Sequence, residues 1–265
     1  MVCLVATSRD GYDCASILMG FGRDVATFFS ASSSAGLIRI DDHGWLGLSG
    51  EPGCADLNMA AVVGSAPPAV VDDYIDAVEE RGLDAILFVE DDAPHLVDAA
   101  LARGLTAAGE VPIMVWRRDA LDASTGTRLA REVAENEIPS VNAVIAEAFS
   151  LDEDAVQRTM PPSILAAGAD VWIVEEEGTI AGSGTFVRSG DHVAIYCMAT
   201  AAGFQRRGIG RAVLETAMGH YLEHDVTTFT LEATAAGIRL YEQIGFETVA
   251  QAPAFVIGVS TQLSS

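Results

Sequence analysis

A six-residue segment with two glycines, residues 205–210, most constrains what this chain can fold into. It separates a strand-like run at 193–200 from a helix-like run at 211–222. Two glycines one residue apart let the backbone turn tightly and come close to a ligand. The helix that follows begins with unpaired N–H groups and the positive end of its dipole. This combination predicts a binding site for a phosphate or another anion.

The charge of this segment points to the same kind of site. The chain carries a formal net charge of -23, and only 15 of its residues are lysine or arginine. Three of them, Arg206, Arg207 and Arg211, fall within six positions. Because the rest of the surface would repel an anion, the segment stands out as the place where one can bind.

Three other interpretations of the glycines compete with this one. A dinucleotide fingerprint starting at Gly208 needs a third glycine at position 213, which is Val213. No Gly-Lys-Ser/Thr follows, so the loop of a nucleotide triphosphatase is also unsupported. A plain surface turn before an ordinary helix stays open on these six residues alone, because short glycine motifs often match by chance.

The segment and a second motif further along the chain resemble two signatures of one protein family. Residues 196–200 and 204–214 resemble the acetyl-CoA signature of the GNAT superfamily of N-acetyltransferases, which reads Q/R-x-x-G-x-G/A after a β-strand. Residues 240–246 resemble the second signature of that family, L-Y-x-x-x-G-F. The two lie in the order and at the separation usual in the family, and the resemblance covers about residues 125–260.

The resemblance implies direct acetyl transfer from acetyl-CoA to a primary amine in a ternary complex. The loop and the start of the helix would hold the pyrophosphate, and the end of the preceding strand would pair with the pantetheine amides. The residues that the resemblance assigns to the cofactor are Met198, Ala199, Thr200, Gln205, Arg206, Arg207, Gly208, Ile209, Gly210, Arg211 and Thr234. No metal is implied. Thr234 departs from the family, which often has asparagine there, and Gly237 stands where alanine is usual.

Two residues are candidates for the catalytic proton transfers. Tyr241 occupies the general-acid position of the family, and a phenol with a pKa near 10 can protonate a departing thiolate. Glu232, at the end of the preceding strand, is the leading candidate for the base that deprotonates the amine. Tyr196 and His192 are alternatives for the base. A buried core tyrosine and a solvated strand-end carboxylate are the ordinary structural interpretations of Tyr241 and Glu232.

The two halves of the chain look like diverged copies. Gly104-Leu105 precedes Pro112, and Gly245-Phe246 precedes Pro253, with the same offset of 141 residues between the pairs. The first half has only Gly64-Ser65-Ala66 where the phosphate loop would lie. We therefore expect an α/β (α+β) protein of two GNAT-like domains, each a mixed, mostly antiparallel twisted sheet flanked by helices. Residues 1–120 would be a degenerate domain without a cofactor motif, and residues 121–265 the catalytic domain.

Apolar periodicity and turn residues divide both halves into elements. Helices are predicted at 12–29, 67–78, 94–101, 128–135, 141–149, 152–160, 211–222 and 237–244. Strands are predicted at 37–40, 45–48, 58–63, 85–89, 111–117, 171–175, 179–187, 193–200, 227–232 and 254–259. A polar stretch at 118–127 separates the halves.

Composition narrows the partners and the compartment. The acidity, with a sequence pI of about 4.3, argues against nucleic acid, and no apolar run is long enough for a membrane span. The first residues do not resemble a secretory signal. Cys3, Cys14, Cys54 and Cys197 show neither metal-ligand nor disulfide spacing. We expect a cytoplasmic monomer or homodimer that acts on a small-molecule or peptide amine.

One alternative function stays open from the sequence. The chain could be a non-catalytic acyl-CoA-binding or scaffold protein built on two GNAT halves, since the first half shows that the cofactor motif can be absent. A nucleotide-dependent oxidoreductase is less well supported, because the third glycine is missing.

Overall fold

A single sheet runs through both halves of the chain. The computed structural model describes residues 12–32, 36–117 and 129–258. Its strands are β1 Leu37–Asp41, β2 Gly44–Leu48, β3 Asn58–Val62, β4 Ala85–Val89, β5 Thr106–Arg117, β6 Arg131–Glu132, β7 Ala169–Glu176, β8 Thr179–Ser189, β9 His192–Thr200, β10 Thr228–Glu232 and β11 Glu247–Ile257. Its helices are α1 Cys14–Ala31, α2 Ala69–Glu79, α3 Pro94–Ala102, α4 Ile138–Phe149, α5 Glu153–Thr159, α6 Ile209–Glu223 and α7 Ile238–Ile244.

The order of strands shows that the halves exchange their last strands. It runs β1-β2-β3-β4-β11-β5-β10-β9-β8-β7-β6. β5 and β11 pair with each other, and each also pairs with a strand of the other half: β5 with β10, and β11 with β4. The two predicted sheets are thus joined into one, which is antiparallel except for the pairs β3–β4 and β9–β10.

The same succession of elements occurs in both halves. β3-α2-β4-α3-β5 in the first half corresponds to β9-α6-β10-α7-β11 in the second. A parallel pair needs a crossover between its strands, and here a helix makes it in each half. The mixed, mostly antiparallel sheet flanked by helices is the predicted fold class. The domain boundary predicted near residue 120, and the polar stretch 118–127, lie outside the described residues.

The core is continuous on one face of the sheet and divided on the other. α1, α4 and α5 pack on the first face, and their apolar residues form one cluster across both halves. On the opposite face, α2 and α3 cover the first half and α6 and α7 cover the second. The helix α1 is fixed to the sheet by Trp45, whose indole N–H donates to the Leu18 carbonyl at 2.7 Å.

An ion pair also links the halves on the continuous face. The Arg158 guanidinium, at the end of α5, donates to both carboxylate oxygens of Glu51 at 2.8 and 2.6 Å. Glu51 follows β2 in the first half and is buried. The bidentate geometry fixes α5 beside the first half more strictly than a single contact would.

Three predicted elements differ clearly from the structure. The strand predicted at 111–117 begins five residues earlier, at Thr106. The helix predicted at 128–135 is wrong, because Arg131 and Glu132 form the edge strand β6, which pairs with β7. The Ala134 N–H then donates to the Glu137 carboxylate, which starts a short 3-10 turn before α4. The last strand begins at Glu247 rather than near 254, since its first half pairs with β5 despite an exposed, mixed sequence. Val259 lies outside the described residues.

The strand exchange predicts that the second half cannot fold by itself. A fragment of residues 121–265 lacks β5, so β10 and β11 lose the strand that joins them and expose unpaired backbone. We expect this fragment to be unfolded or aggregated by circular dichroism and size-exclusion chromatography. Co-expression with residues 1–120 should restore a soluble 1:1 complex. A monomeric fragment with a cooperative melting transition would contradict the prediction.

Candidate active site

A cleft opens where β9 and β10 part. The two parallel strands are paired from His192↔Thr228 to Ile195↔Leu231. β9 then continues to Thr200 in contact with β8 alone, so its other edge is free of a strand partner over residues 196–200. A free strand edge offers backbone N–H and C=O groups to an extended ligand.

A bulge in β9 lies at the point where the strands part. Cys197 has a φ of 48°, and the register with β8 shifts between Ser183 and Thr185. As a result, Tyr196 and Cys197 both pack on the side of α1, α4 and α5, while Met198 packs on the side of α6 and α7. The bulge therefore directs neighbouring side chains to both sides of the opening.

The glycine loop forms one end of the cleft. Gly208 is the N-cap of α6 with a φ of 81°, and the α6 helix starts with the Ala212 N–H donating to the Gly208 carbonyl at 3.0 Å. Arg206 also has a left-handed backbone, with a φ of 60°. This is the predicted arrangement of a tight turn that leads into an unpaired helix N-terminus.

The cleft has a volume of about 680 Å³ and collects most of the predicted cofactor residues. Those that line it are Met198, Thr200, Gln205, Arg206, Gly208, Ile209, Gly210, Arg211 and Thr234, and the predicted acid Tyr241 lines it too. Ala199, Arg207 and Glu232 do not line it. Ala199 is buried in the sheet opposite Ser183. Arg207 lies over the Phe204 ring at 5.3 Å and near Glu176 at 3.8 Å, so its side chain points to other partners.

The sequence analysis missed several lining residues on α4 and α7. Ala148, Phe149, Ala236, Gly237, Arg239, Leu240 and Gln243 complete the wall of the cleft. Arg239 adds a third arginine to Arg206 and Arg211 there, and Arg211 donates to Gln243 at 3.0 Å. The spacing of four residues between 239 and 243 places both on one face of α7, a signal that the sequence did contain.

Tyr241 is held at the cleft by close packing. Its ring is buried, contacts Phe246 edge-on at 5.9 Å, and has a pKa that burial raises to about 12. A Cβ at Gly237 would stand 2.6 Å from the Cε2 of Tyr241. The departure from alanine at 237 therefore leaves room for the tyrosine ring in this position.

Glu232 lies on the other side of the opening from Tyr241. Leu231 and Ala233 belong to the core under α6 and α7, so Glu232 between them faces the side of α1. It pairs in register with Ile113, which lies in the core on the α1 side. The Glu232 carboxyl is half-buried, and burial raises its pKa to about 7. It could therefore accept a proton near neutral pH.

The alternative bases fit less well. His192 lies four residues before Tyr196, about 13 Å along the strand. Burial lowers the pKa of His192 to about 4, and its ring lies within hydrogen-bond distance of the Thr230 hydroxyl at 2.7 Å. The Tyr196 hydroxyl donates to Asp24 at 2.8 Å, and burial raises the pKa of Tyr196 well above its usual value. Burial also raises the pKa of the Cys197 thiol to about 12, which makes it a poor nucleophile.

The first half has no such opening at the corresponding place. β3 and β4 are paired up to Val62↔Val89, and the Glu90 N–H continues the ladder by donating to the Val62 carbonyl at 3.0 Å. The Glu90 carboxylate also accepts a hydrogen bond from the Gly64 N–H, just before α2. A carboxylate of the protein thus lies where a bound phosphate would otherwise meet the loop.

Two kinds of site find no support in the described residues. Over 12–32, 36–117 and 129–258, no group of histidine, cysteine and carboxylate side chains could hold a metal ion. Within the same ranges, no helix is both long and apolar enough to cross a bilayer. Cys14, Cys54 and Cys197 are free thiols, and Cys3 lies outside the described residues.

Comparison with known proteins relates part of the second half to a known family. Residues 167–248 match the family model of the acetyltransferase (GNAT) domain. No curated protein sequence matches the chain. Among solved structures, a GCN5-related N-acetyltransferase from Kribbella flavida superposes with a TM-score of 0.67 at 15% identity, covering 93% of this chain and 97% of the other.

Two further structures share the fold. A GCN5-related N-acetyltransferase from Sphaerobacter thermophilus has a TM-score of 0.57 at 14% identity, covering 82% of this chain and 81% of the other. A tandem GNAT protein from the clavulanic acid biosynthesis pathway has a TM-score of 0.57 at 11% identity, covering 92% and 96%. At these identities the structures establish a common fold over both halves of the chain.

Proposed function

We propose that the chain transfers an acetyl group from acetyl-CoA directly to a primary amine, on the premise that residues 167–248 match the model of the acetyltransferase (GNAT) domain. The observation that carries the proposal is the cleft between β9 and β10. It joins the glycine loop at one end to Tyr241 in its wall. If the glycine segment were only a surface turn before an ordinary helix, we would not expect it to lie beside separated strands and the L-Y-x-x-x-G-F motif in one cleft.

The cleft offers acetyl-CoA a charged end and a hydrogen-bonding wall. The N–H groups at the start of α6, together with Arg206 and Arg211, would bind the pyrophosphate. The free edge of β9 at Met198–Thr200 would pair with the pantetheine amides as an added strand does. Thr234 lies on the opposite wall and can hydrogen-bond the same arm.

The acceptor amine would approach from the α1 side of the sheet, where Glu232 lies. Glu232 accepts a proton from the ammonium group, directly or through a water molecule, which frees the nitrogen lone pair. The nitrogen then forms a bond to the thioester carbonyl carbon, and the C–S bond breaks. Tyr241, on the other side, donates its phenolic proton to the departing sulfur. The surplus proton on the nitrogen then passes through solvent to the Tyr241 phenolate, and Glu232 releases its proton to solvent, so the products are the N-acetylated amine and CoA.

The environment of Tyr241 suits a proton donor. Its raised pKa keeps the phenol protonated throughout the physiological range. Burial also raises the pKa of a thiol, because it disfavours the charged thiolate. A sulfur that leaves inside the cleft is therefore stabilised by a proton from a nearby donor.

We also propose that residues 1–120 form a degenerate GNAT half and residues 121–265 the catalytic one. The repeated element order supports a common origin. The closed ladder between β3 and β4, with Glu90 bound to Gly64, supports a first half that binds no cofactor of its own.

The first test is acetyl-CoA binding by calorimetry with the variant Gly208→Glu. The new side chain must adopt a left-handed backbone and places a carboxylate at the proposed phosphate site. We expect micromolar binding by the wild type and a loss of at least about 100-fold in the variant. Gly219→Glu is the matched control, because it adds the same charge to α6 at a position with open space and an ordinary φ. Equal binding by Gly208→Glu and wild type would place the cofactor elsewhere.

The second test is Tyr241→Phe, which removes the proposed acid and keeps the ring. We expect kcat to fall more than about tenfold, which corresponds to about 1.4 kcal/mol, while the Kd for acetyl-CoA stays unchanged. Tyr74→Phe is the control, since Tyr74 is a buried tyrosine of the first half. Unchanged turnover would exclude Tyr241 as the acid, and binding without turnover in the wild type would favour a scaffold.

The third test is the pH dependence of kcat/KM. Burial raises the pKa of Glu232 to about 7, and only the ionised carboxylate can accept the proton. Activity should therefore fall as the pH drops below about 7, tenfold per unit once the carboxyl is mostly protonated. Glu232→Gln should lower the rate and remove this limb, whereas Glu223→Gln, on the exposed end of α6, should leave it intact. A limb that survives in Glu232→Gln belongs to another group.

A further inference from the structure

The first half supplies one wall of the side from which the acceptor would approach. Helix α1 lies over β9, and Phe21 and Phe28 contact the Tyr196 ring edge-on at 5.7 and 5.3 Å. Between them along the helix, Asp24 accepts the hydrogen bond of the Tyr196 hydroxyl at 2.8 Å. The contact joins residues 172 positions apart and brings a carboxyl group of the first half to the strand at the cleft.

Asp24 is a buried carboxyl group without a paired cation. Only 7% of its surface is exposed, and within the described part of the chain Tyr196 is its one hydrogen-bond partner. The neighbouring Arg23 is exposed and forms no salt bridge with Asp24 among the described residues, although its positive charge lowers the pKa of Asp24 in part. Burial raises the pKa of Asp24 to about 6, so the group is mostly ionised at neutral pH. Such a charge is costly to bury unless a cation or further donors compensate it.

A second buried polar group on the same face lacks a hydrogen-bond partner. Thr185 lies on β8 directly opposite Tyr196, is fully buried, and its hydroxyl has no hydrogen-bond partner in the described residues. Buried hydroxyl groups without partners are rare in folded proteins, and a bound polar ligand or water is their usual explanation. Thr185 thus lies beside Tyr196, whose hydroxyl donates to Asp24.

Glu232 lies on this face as well. The last pair of β10 and β9 joins Leu231 to Ile195. Glu232 is the next residue of β10 and therefore lies at the level of Tyr196. Burial raises the pKa of Tyr196 most, and the negative charges of Asp24 and Glu232 raise it further. An acceptor that enters here meets one carboxyl from each half of the chain.

We propose that the acceptor carries a second cationic group besides the amine that is acetylated, and that Asp24 of the first half binds this second cation. The inference rests on the proposed function, in which Glu232 faces the reacting amine. The net charge of -23 gives the whole surface an attraction for such a polycation. Asp24 is then a specificity-determining residue, and the degenerate half is retained for substrate selection.

The experiment compares two probes that differ in one terminal charge. The full chain with bound CoA is titrated with 1,4-diaminobutane and with butylamine by calorimetry at pH 7.5. The diamine should bind at least about tenfold more tightly, as expected for one added charged hydrogen bond. In Asp24→Asn, whose amide oxygen still accepts from Tyr196, the two affinities should become equal while CoA binding and Tm stay unchanged.

Asp98→Asn is the matched control, because it removes the same charge from an exposed position on α3, which packs on the opposite face. It should keep the preference for the diamine. The proposal is overturned if the wild type binds the diamine no more tightly than butylamine, or if Asp24→Asn keeps the preference. The readout needs no turnover, so a diamine preference without acetyl transfer would refute the proposed function and leave the cation site standing.

Discussion

The antiparallel pairing of β5 with β11 is the contact on which the rest of the molecule depends. Each is the last strand of its half, yet its other neighbour belongs to the opposite half. If β11 and β5 were removed, β4 and β10 would each present a free edge of unpaired backbone groups. The pairing also fixes the first half beside the second, with the Arg158–Glu51 ion pair as a further tie. Only in that arrangement does α1 reach Tyr196.

The two halves share one succession of elements, but their parallel strand pairs end differently. In the second half the parallel pair parts after Ile195 and Leu231, and a bulge at Cys197 turns side chains to both sides of the opening. In the first half the corresponding pair stays hydrogen-bonded to its end, and Glu90 binds the loop that follows. A few backbone hydrogen bonds and one carboxylate therefore separate the half that has the cleft from the half that has none at the corresponding place.

Local features of the site could be predicted from the sequence, and long-range ones could not. The glycine loop and the helix after it depend on backbone conformations that a few neighbouring residues determine, so Gly208 and its surroundings lie where the motif indicates. The strand exchange pairs distant segments, and residues 106–110 of β5 are exposed and carry no apolar pattern. The contact of Asp24 with Tyr196 could not be predicted either, since no local signal in the sequence connects residues 172 positions apart. The roles of Tyr241 and Glu232 stay predictions that their variants test.

The exchanged strands also bear on the history of the chain. In a duplicated protein of separate domains, a copy that loses its ligand can be deleted without harm to the other. Here each half completes the sheet of its neighbour, so deleting the first half would remove β5 from beside β10. If the first half is a degenerate copy, as we propose, mutations could erase its cofactor loop but not the half itself. A region freed from one task yet structurally indispensable is open to acquire another, and α1 already stands at the edge of the working site.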